Sequence, residues 1–305
     1  MRIRTIFNFI QNREKYPYSL NALYQVIGIS KQSVHKMLKR YKIKMEEQEY
    51  LVLLIRDIRE DHPTMCVRDM YYKINPSHIG RDAFEILCKR EGFYIQRHKN
   101  YRKTTDSSGV IRFNNKIKGI KITDINQVWQ SDITYFEIAN RFYYITFIID
   151  AYSRIIVGYN ASNRLTTEQT TLNSLHKAIK FRGGNIPESL IFHSDGGGQY
   201  YDKDFLAYTK KMNIINSMCM YPWENGIAER INGVIKNNYL NHRNIKSFEQ
   251  LVKEVDRSVY LYNNDKPHIK LKRLTPIMFE KNILLQKQET TQNQKKIDIL
   301  EYEIR

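Results

Sequence analysis

The chain has 305 residues, 42% of them hydrophobic, enough to bury a core and to divide into more than one domain. Its 49 Lys and Arg against 32 Asp and Glu give a formal charge of +17 and a pI near 9.6, a field that attracts polyanions, nucleic acid before an anionic membrane. No run of 18 apolar residues occurs and the first residues lack a small-residue cleavage site, so no membrane partner is expected and a cytoplasmic, nucleoid-associated location is.

The excess charge lies early, with 24 Lys and Arg against 12 Asp and Glu in the first 120 residues. Residues 1–45 contain a helix-turn-helix pattern. Ser19 suits the cap of a first helix, Gly28 the tight turn, and Ser30 the cap of a second. In that second helix Val34, Met37 and Leu38 recur at spacings of three and four and face inward. Lys31, Gln32, His35, Lys36 and Lys39 then face outward as candidates for phosphates and base edges in a major groove.

A second helical DNA-binding region is expected over 46–95. It has an apolar-rich helix from Tyr50 and further helices over Val67 to Ile74 and Ile79 to Glu91, with Ser77 as a cap. Arg81, Lys89 and Arg90 are its candidate phosphate contacts. Residues 96–122 are basic and read as a linker that follows a DNA backbone. His62, Cys66, His78, Cys88 and His98 lack the paired spacing of a zinc site, so the cysteines read as buried free thiols and the histidines as surface residues.

From Val128 the pattern changes to strands. Val128 to Ile138, Phe142 to Asp150 and Ile155 to Tyr159 alternate as three consecutive strands, with Ala139-Asn140-Arg141 as a hairpin turn. A helix from Thr166 to Phe181, ended by Gly183-Gly184, precedes a strand at Leu190 to His193, a helix at Lys203 to Met212, a strand at Ile214 to Met218 and a last helix. This βββαβαβα order makes a mixed sheet with helices on its faces.

Three acidic residues in this region need a reason. Asp132 sits inside an apolar strand, Asp195 ends another and is followed by Gly196-Gly197-Gly198, and Glu229 shares a helical face with Lys236. Such carboxylates suit two Mg²⁺ (or Mn²⁺) ions about 3.5–4 Å apart, which stabilise the attacking and leaving oxygens of a phosphodiester. Asp132 would bridge the ions, with Asp195 and Glu229 each completing one. Asp150 reads as a cap of the turn to Ser153-Arg154, His193 as a residue beside the site that positions a group, and Trp129 and Trp223 as core and loop anchors.

These words carry a resemblance. Trp129-Gln130-Ser131-Asp132-Ile133-Thr134-Tyr135, Ile149-Asp150-Ala151-Tyr152-Ser153-Arg154, His193-Ser194-Asp195 through Gln199-Tyr200, Ala228-Glu229-Arg230 with Lys236, and Tyr262-Asn263 with Pro267-His268, Leu274, Pro276 and Phe279 resemble the catalytic core of DDE-type insertion-sequence transposases, in the retroviral-integrase superfamily. The resemblance implies an RNase H-like mixed five-stranded sheet over 123–282, preceded by an all-α region and followed by a polar tail over 283–305. It implies that the first and fourth strands lie side by side, that Asp132, Asp195 and Glu229 are catalytic, and that two divalent ions serve each site. It also implies double-stranded element ends and target DNA as partners, with Arg230 and Lys236 against that DNA, and a homo-multimer assembled on it. Between Asp195 and Glu229 lie 33 residues, about two fewer than the family pattern, and the shortening falls in the loop that holds Glu224. Glu224 is therefore the alternative third carboxylate. A structure-selective nuclease of the same fold and a transposase-derived regulator with an inactive core are the alternative functions.

Overall fold

The computed structural model describes residues 2–15, 17–95, 113–184 and 186–303, so most of the expected linker, with His98, lies outside the described residues. The chain forms two compact units, 1–60 with 66–95, and 61–65 with 96–305.

The first unit is helical, with α1 (Arg2–Gln11), α2 (Leu20–Ile27), α3 (Lys31–Asp61), α4 (Val67–Ile74) and α5 (Arg81–Arg90). Ser19 Oγ accepts from the Ala22 amide at 3.2 Å, and Gly28 closes α2 at φ +69°, a conformation that costs a residue with a Cβ. Ser30 Oγ accepts from Ser33 N at the start of α3. Ile6, Tyr24 and Val34 bury together, with Leu20, Leu23, Ile27 and Leu38 against them, so α1, α2 and the start of α3 share one small core.

Two expectations change here. A boundary at 45/46 falls inside α3, which runs unbroken for 31 residues because no Gly or Pro interrupts it before Pro63. Its later turns bury Leu51, Ile55 and Ile58 at helical spacing, so the two expected regions share a helix and a compact unit. The cap of α5 is Gly80 rather than Ser77, with no side-chain cap bond.

In the second unit, β1 (Val128–Ile138), β2 (Arg141–Asp150), β3 (Ile156–Ser162), β4 (Ile191–Ser194) and β5 (Ile215–Met218) form one sheet in the order β3-β2-β1-β4-β5. β1 with β2 and β2 with β3 pair antiparallel, while β1 with β4 and β4 with β5 pair parallel. Ala139 (φ 48°) and Asn140 (φ 63°) make the two-residue turn between β1 and β2, both left-handed as the twist of a hairpin favours.

Helices α6 (Asn173–Phe181) and α7 (Lys203–Lys211) pack on one face of the sheet, and α8 (Gly226–Asn238) and α9 (Phe248–Asn264) on the other. The expected helix from Thr166 begins as a π turn over Glu168–Leu172, where the Thr170 and Thr171 hydroxyls donate back to the carbonyls of Thr166 and Thr167. Such back-bonding opens the turn before α6 takes over. The side chain of Asn263 on α9 closes the outer edge of β3, accepting from Ile156 N at 3.0 Å and donating to Ile156 O at 2.9 Å. The chain then continues in α10 (Pro276–Glu303), so the polar tail is helical through Glu303.

Candidate active site

β1 carries its side chains alternately to the two faces of the sheet. Ser131 meets the buried Tyr200 hydroxyl at 2.9 Å, whereas Gln130 and Asp132 turn toward α8. The parallel register aligns Ser131 with Ser194, so Asp132, still within β1 opposite Phe147, and Asp195, just past the end of β4, follow at the same level.

Three side chains fix α8 over this point. Asn225 Nδ2 donates to Ser131 O at 2.9 Å, Gln130 Oε1 accepts from Ile227 N at 3.3 Å, and Asn232 Nδ2 donates to Asp132 Oδ2 at 2.8 Å. Glu229 is one turn before Asn232, so it stands on the same helical face. Lys236 lies a further turn along, half-buried, with its ammonium pushed below the ordinary value by burial. Arg230 is exposed. Asn225, Gln130 and Asn232 were not singled out in the sequence; Asn232, three residues after Glu229, was the one whose spacing signalled a place on this face.

The electrostatics mark the three carboxylates as one system. Burial pushes Asp132 up to about 7, with added repulsion from Asp195 and Glu229, against which the Ile133 amide and Asn232 supply hydrogen bonds. Burial also raises Asp195, whose Oδ1 accepts from Gly197 N at 3.2 Å, and raises Glu229, which feels Asp195 as well. Among the described residues no three His, Cys, Asp or Glu side chains crowd into the sphere of a single ion.

Glu224 is engaged elsewhere. Its Oε2 accepts from Met220 N at 2.7 Å and Tyr221 N at 3.2 Å, closing the 3-10 turn Pro222–Asn225. Desolvation opposes its charge, but those amide bonds prevail and hold the carboxyl below the usual value.

The glycines after Asp195 do not serve a left-handed turn, since none of the three has a positive φ. Gly197 does leave room: a Cβ there would lie 3.1 Å from Asp195 Oδ1. Burial lowers His193 to about 4, its Nδ1 meets Ser217 Oγ at 2.9 Å, and its Nε2 is buried without a hydrogen bond. Asp150 is fully buried and accepts from Tyr152 N and Ser153 N, the cap of its turn.

Other candidates lie outside this cluster. Lys31, Gln32, His35, Lys36 and Lys39 are all exposed on α3 in the first unit. Arg81 is ion-paired with Asp82 and Arg90 with Glu91, which leaves Lys89 as the exposed lysine of that group. Cys66 Sγ caps α4 and Cys88 is buried, both free thiols. His62 corrects the surface reading. It is 2% exposed and sits between the Tyr239 hydroxyl at 3.0 Å and the Asp265 carboxylate at 2.6 Å. Trp129 is in the core, but Trp223 is 73% exposed and stacks on Tyr221 instead of anchoring its loop.

Two family models, both described as integrase core domain, match residues 123–220 and 210–276 and together span residues 123 to 276. A 31 kDa protein of insertion element IS600 from Shigella sonnei is 27% identical over 206 residues, 66% of this chain and 75% of that protein. Transposase InsF of insertion sequence IS3A from Escherichia coli K12 is 37% identical over 93 residues, 30% of this chain, and the match covers only 31% of InsF. Among solved structures, the HTLV-2 integrase catalytic core domain in complex with magnesium aligns over 51% of this chain and 96% of that one, with a TM-score of 0.42 and 19% identity. With a five-stranded mixed sheet and two successive integrase-core matches, residues 123 to 276 form an integrase core domain, similar in sequence to insertion-element proteins.

Proposed function

We propose that the chain cuts element-end DNA and joins it to target DNA, with Asp132, Asp195 and Glu229 as the catalytic carboxylates. The observation that carries this is the convergence of the three: Asp132 on β1 is raised by its burial and by the nearby charges of Asp195, just past β4, and Glu229 on α8. Uncompensated, such a set repels itself, and cations are the natural compensation.

The donor set fits divalent ions. It is all carboxylate, as a hard cation prefers, and Asp132, Asp195 and Glu229 would hold the ions between them. When bound, two Mg²⁺ or Mn²⁺ ions would neutralise the charge that develops on the attacking and departing oxygens. Asn232 holds the Asp132 carboxylate in its rotamer, and Gly197 keeps the space beside Asp195 open. Lys236 and Arg230, following Glu229 on α8, would hold the backbone of the cleaved strand. In cleavage a water oxygen bonds to phosphorus as the P–O3′ bond breaks, and the proton the water gives up ends on the departing 3′ oxygen. The freed 3′-hydroxyl then forms a P–O bond in a second strand, whose own bridging oxygen leaves with the proton. Two element ends require two sites, so a homo-multimer on double-stranded DNA follows.

The test is a Mg²⁺-dependent cleavage and joining assay on an end-containing duplex. Glu229→Gln should lower both steps on the order of 10³-fold while duplex binding persists. Glu224→Gln should leave chemistry near wild type and cost only about 1 kcal/mol of stability as a lost cap. Loss confined to Glu224→Gln would move the third carboxylate, and cutting without joining would favour a nuclease.

A further inference from the structure

On the second unit a cavity of about 520 Å³ opens between the turn after β2 and the segment after α9. Ile122, Ala151, Leu271 and Phe279 give it apolar walls, and Arg154 and Lys270 are the cations that line it. Arg154 is held there by a built turn. Its backbone is left-handed at φ +66°, its amide donates to Asp150 O at 2.9 Å, and Asp150 Oδ1 takes the Tyr152 and Ser153 amides. A non-glycine residue in that region is strained, which the surrounding bonds must over-determine.

The guanidinium has no acidic partner to match. Asp150 Oδ2 takes the Asn126 amide at 2.6 Å and Arg182 at 3.5 Å, and Arg182 spends its fork on Glu280. Among the described residues no carboxylate hydrogen-bonds or ion-pairs with Arg154 or Lys270. Burial holds Arg154 below the usual guanidinium range; Tyr262 and Asp150 offset this in part, and Arg230 adds repulsion. A half-buried charge without a counter-ion is costly, and apolar walls strengthen the pull on any anion that arrives.

We propose that Arg154 and Lys270 form an anion subsite that takes a backbone phosphate of the DNA on which the triad acts, so the subsite rests on the function proposed above. Arg154 supplies a planar fork that fits two phosphate oxygens, and Lys270 a point charge. Position agrees. Arg154 lies close enough to Arg230, the residue after Glu229 on α8, to be repelled by its charge. A carboxylate from a second copy has matching charge, but two chains of +17 repel, whereas DNA is drawn to both.

The experiment follows binding of the full chain to an end-containing duplex across a salt series, with cleavage measured in parallel. Arg154→Gln and Lys270→Gln should each weaken binding about tenfold and lower the slope of log affinity against log salt by about one. Arg154→Lys should restore the slope without the full affinity. Lys210→Gln, on α7 and not lining the cavity, should change the slope no more than a scattered surface charge does. In turnover the Gln variants should raise KM and leave kcat near wild type. Lys270 is exposed, so its variant folds even where Arg154→Gln does not. Unchanged affinity and slope in folded Lys270→Gln and Arg154→Lys would overturn the subsite while wild-type cleavage still upheld the proposed function. Wild type that neither binds nor cuts would overturn both, and a loss of self-association at unchanged slope would assign the cavity to a second copy.

Discussion

Asp132 is the residue on which charge, burial and hydrogen bonding meet. Its folded pKa of about 7 lies above the unfolded value of 3.8, so the stability tied to its proton is complete below pH 4 and is lost as pH rises toward 7. His193 and His268 work in the opposite sense. Burial lowers them to about 4 and about 3, so the folded state excludes a proton that the unfolded chain takes up below pH 6.5, and stability falls as pH drops through that window. Metal-free protein should therefore lose stability on both sides of a narrow optimum. Asp132→Asn should shrink the upper limb, to which Asp195 and Glu229 also contribute, raising stability at pH 8 by about 1–2 kcal/mol. Thermal melts at pH 5 and pH 8, with and without Mg²⁺, check this: Mg²⁺ should raise the wild-type Tm more at pH 8 and leave Asp132→Asn almost unmoved. The acidic character of this site was legible in the sequence because a lone carboxylate in an apolar strand is conspicuous. Its partner Asn232 was not, since an Asn on a helix is ordinary until the strand beneath it is known.

At the scale of elements, α6 lies against β3 at Gly158. A Cβ there would stand 2.3 Å from Ser174 O and 2.7 Å from the Ala178 Cβ, and backbone cannot yield as a flexible side chain would. Gly158→Ala should cost about 3 kcal/mol, read as a lowered denaturation midpoint at an unchanged m-value. The strands and helices themselves were largely legible. β1 follows the expected range, and the Ala139-Asn140 turn falls where the alternation breaks. Helix lengths were less so. The unbroken α3 crosses a change from polar to apolar composition that resembles a boundary, and only its continuous burial of Leu51, Ile55 and Ile58 makes it one element. The π turn before α6 depends on threonine hydroxyls choosing carbonyls, which periodicity does not report.

For the molecule as a whole, the +17 charge sets the expected response to salt. If six to ten phosphates are engaged, duplex affinity should fall about 10³ to 10⁵-fold between 50 and 200 mM salt. The exposed cations of α3 should carry part of that. A Lys31→Gln, Lys36→Gln, Lys39→Gln variant should reduce the salt slope by nearly three without changing Mg²⁺-dependent cutting of DNA already bound, measured by anisotropy and single-turnover cleavage. A variant with the wild-type slope would remove α3 from the DNA contact.

The sequence by itself determined what each segment is made to be. Alternation and caps set strands and helices, net charge pointed to a polyanionic partner, and three carboxylates in ordered words pointed to an integrase-type core. Tertiary structure decided which of these meet. The parallel pairing of β1 with β4, implied by the resemblance and absent from any periodicity, brings Asp132 level with Asp195. Packing buried His62, turned Trp223 outward and left Arg154 in a cavity without a carboxylate. The physical reason is that periodicity reports only a residue's own face. Who stands opposite is set by contacts between distant segments, whose closure the local pattern does not encode.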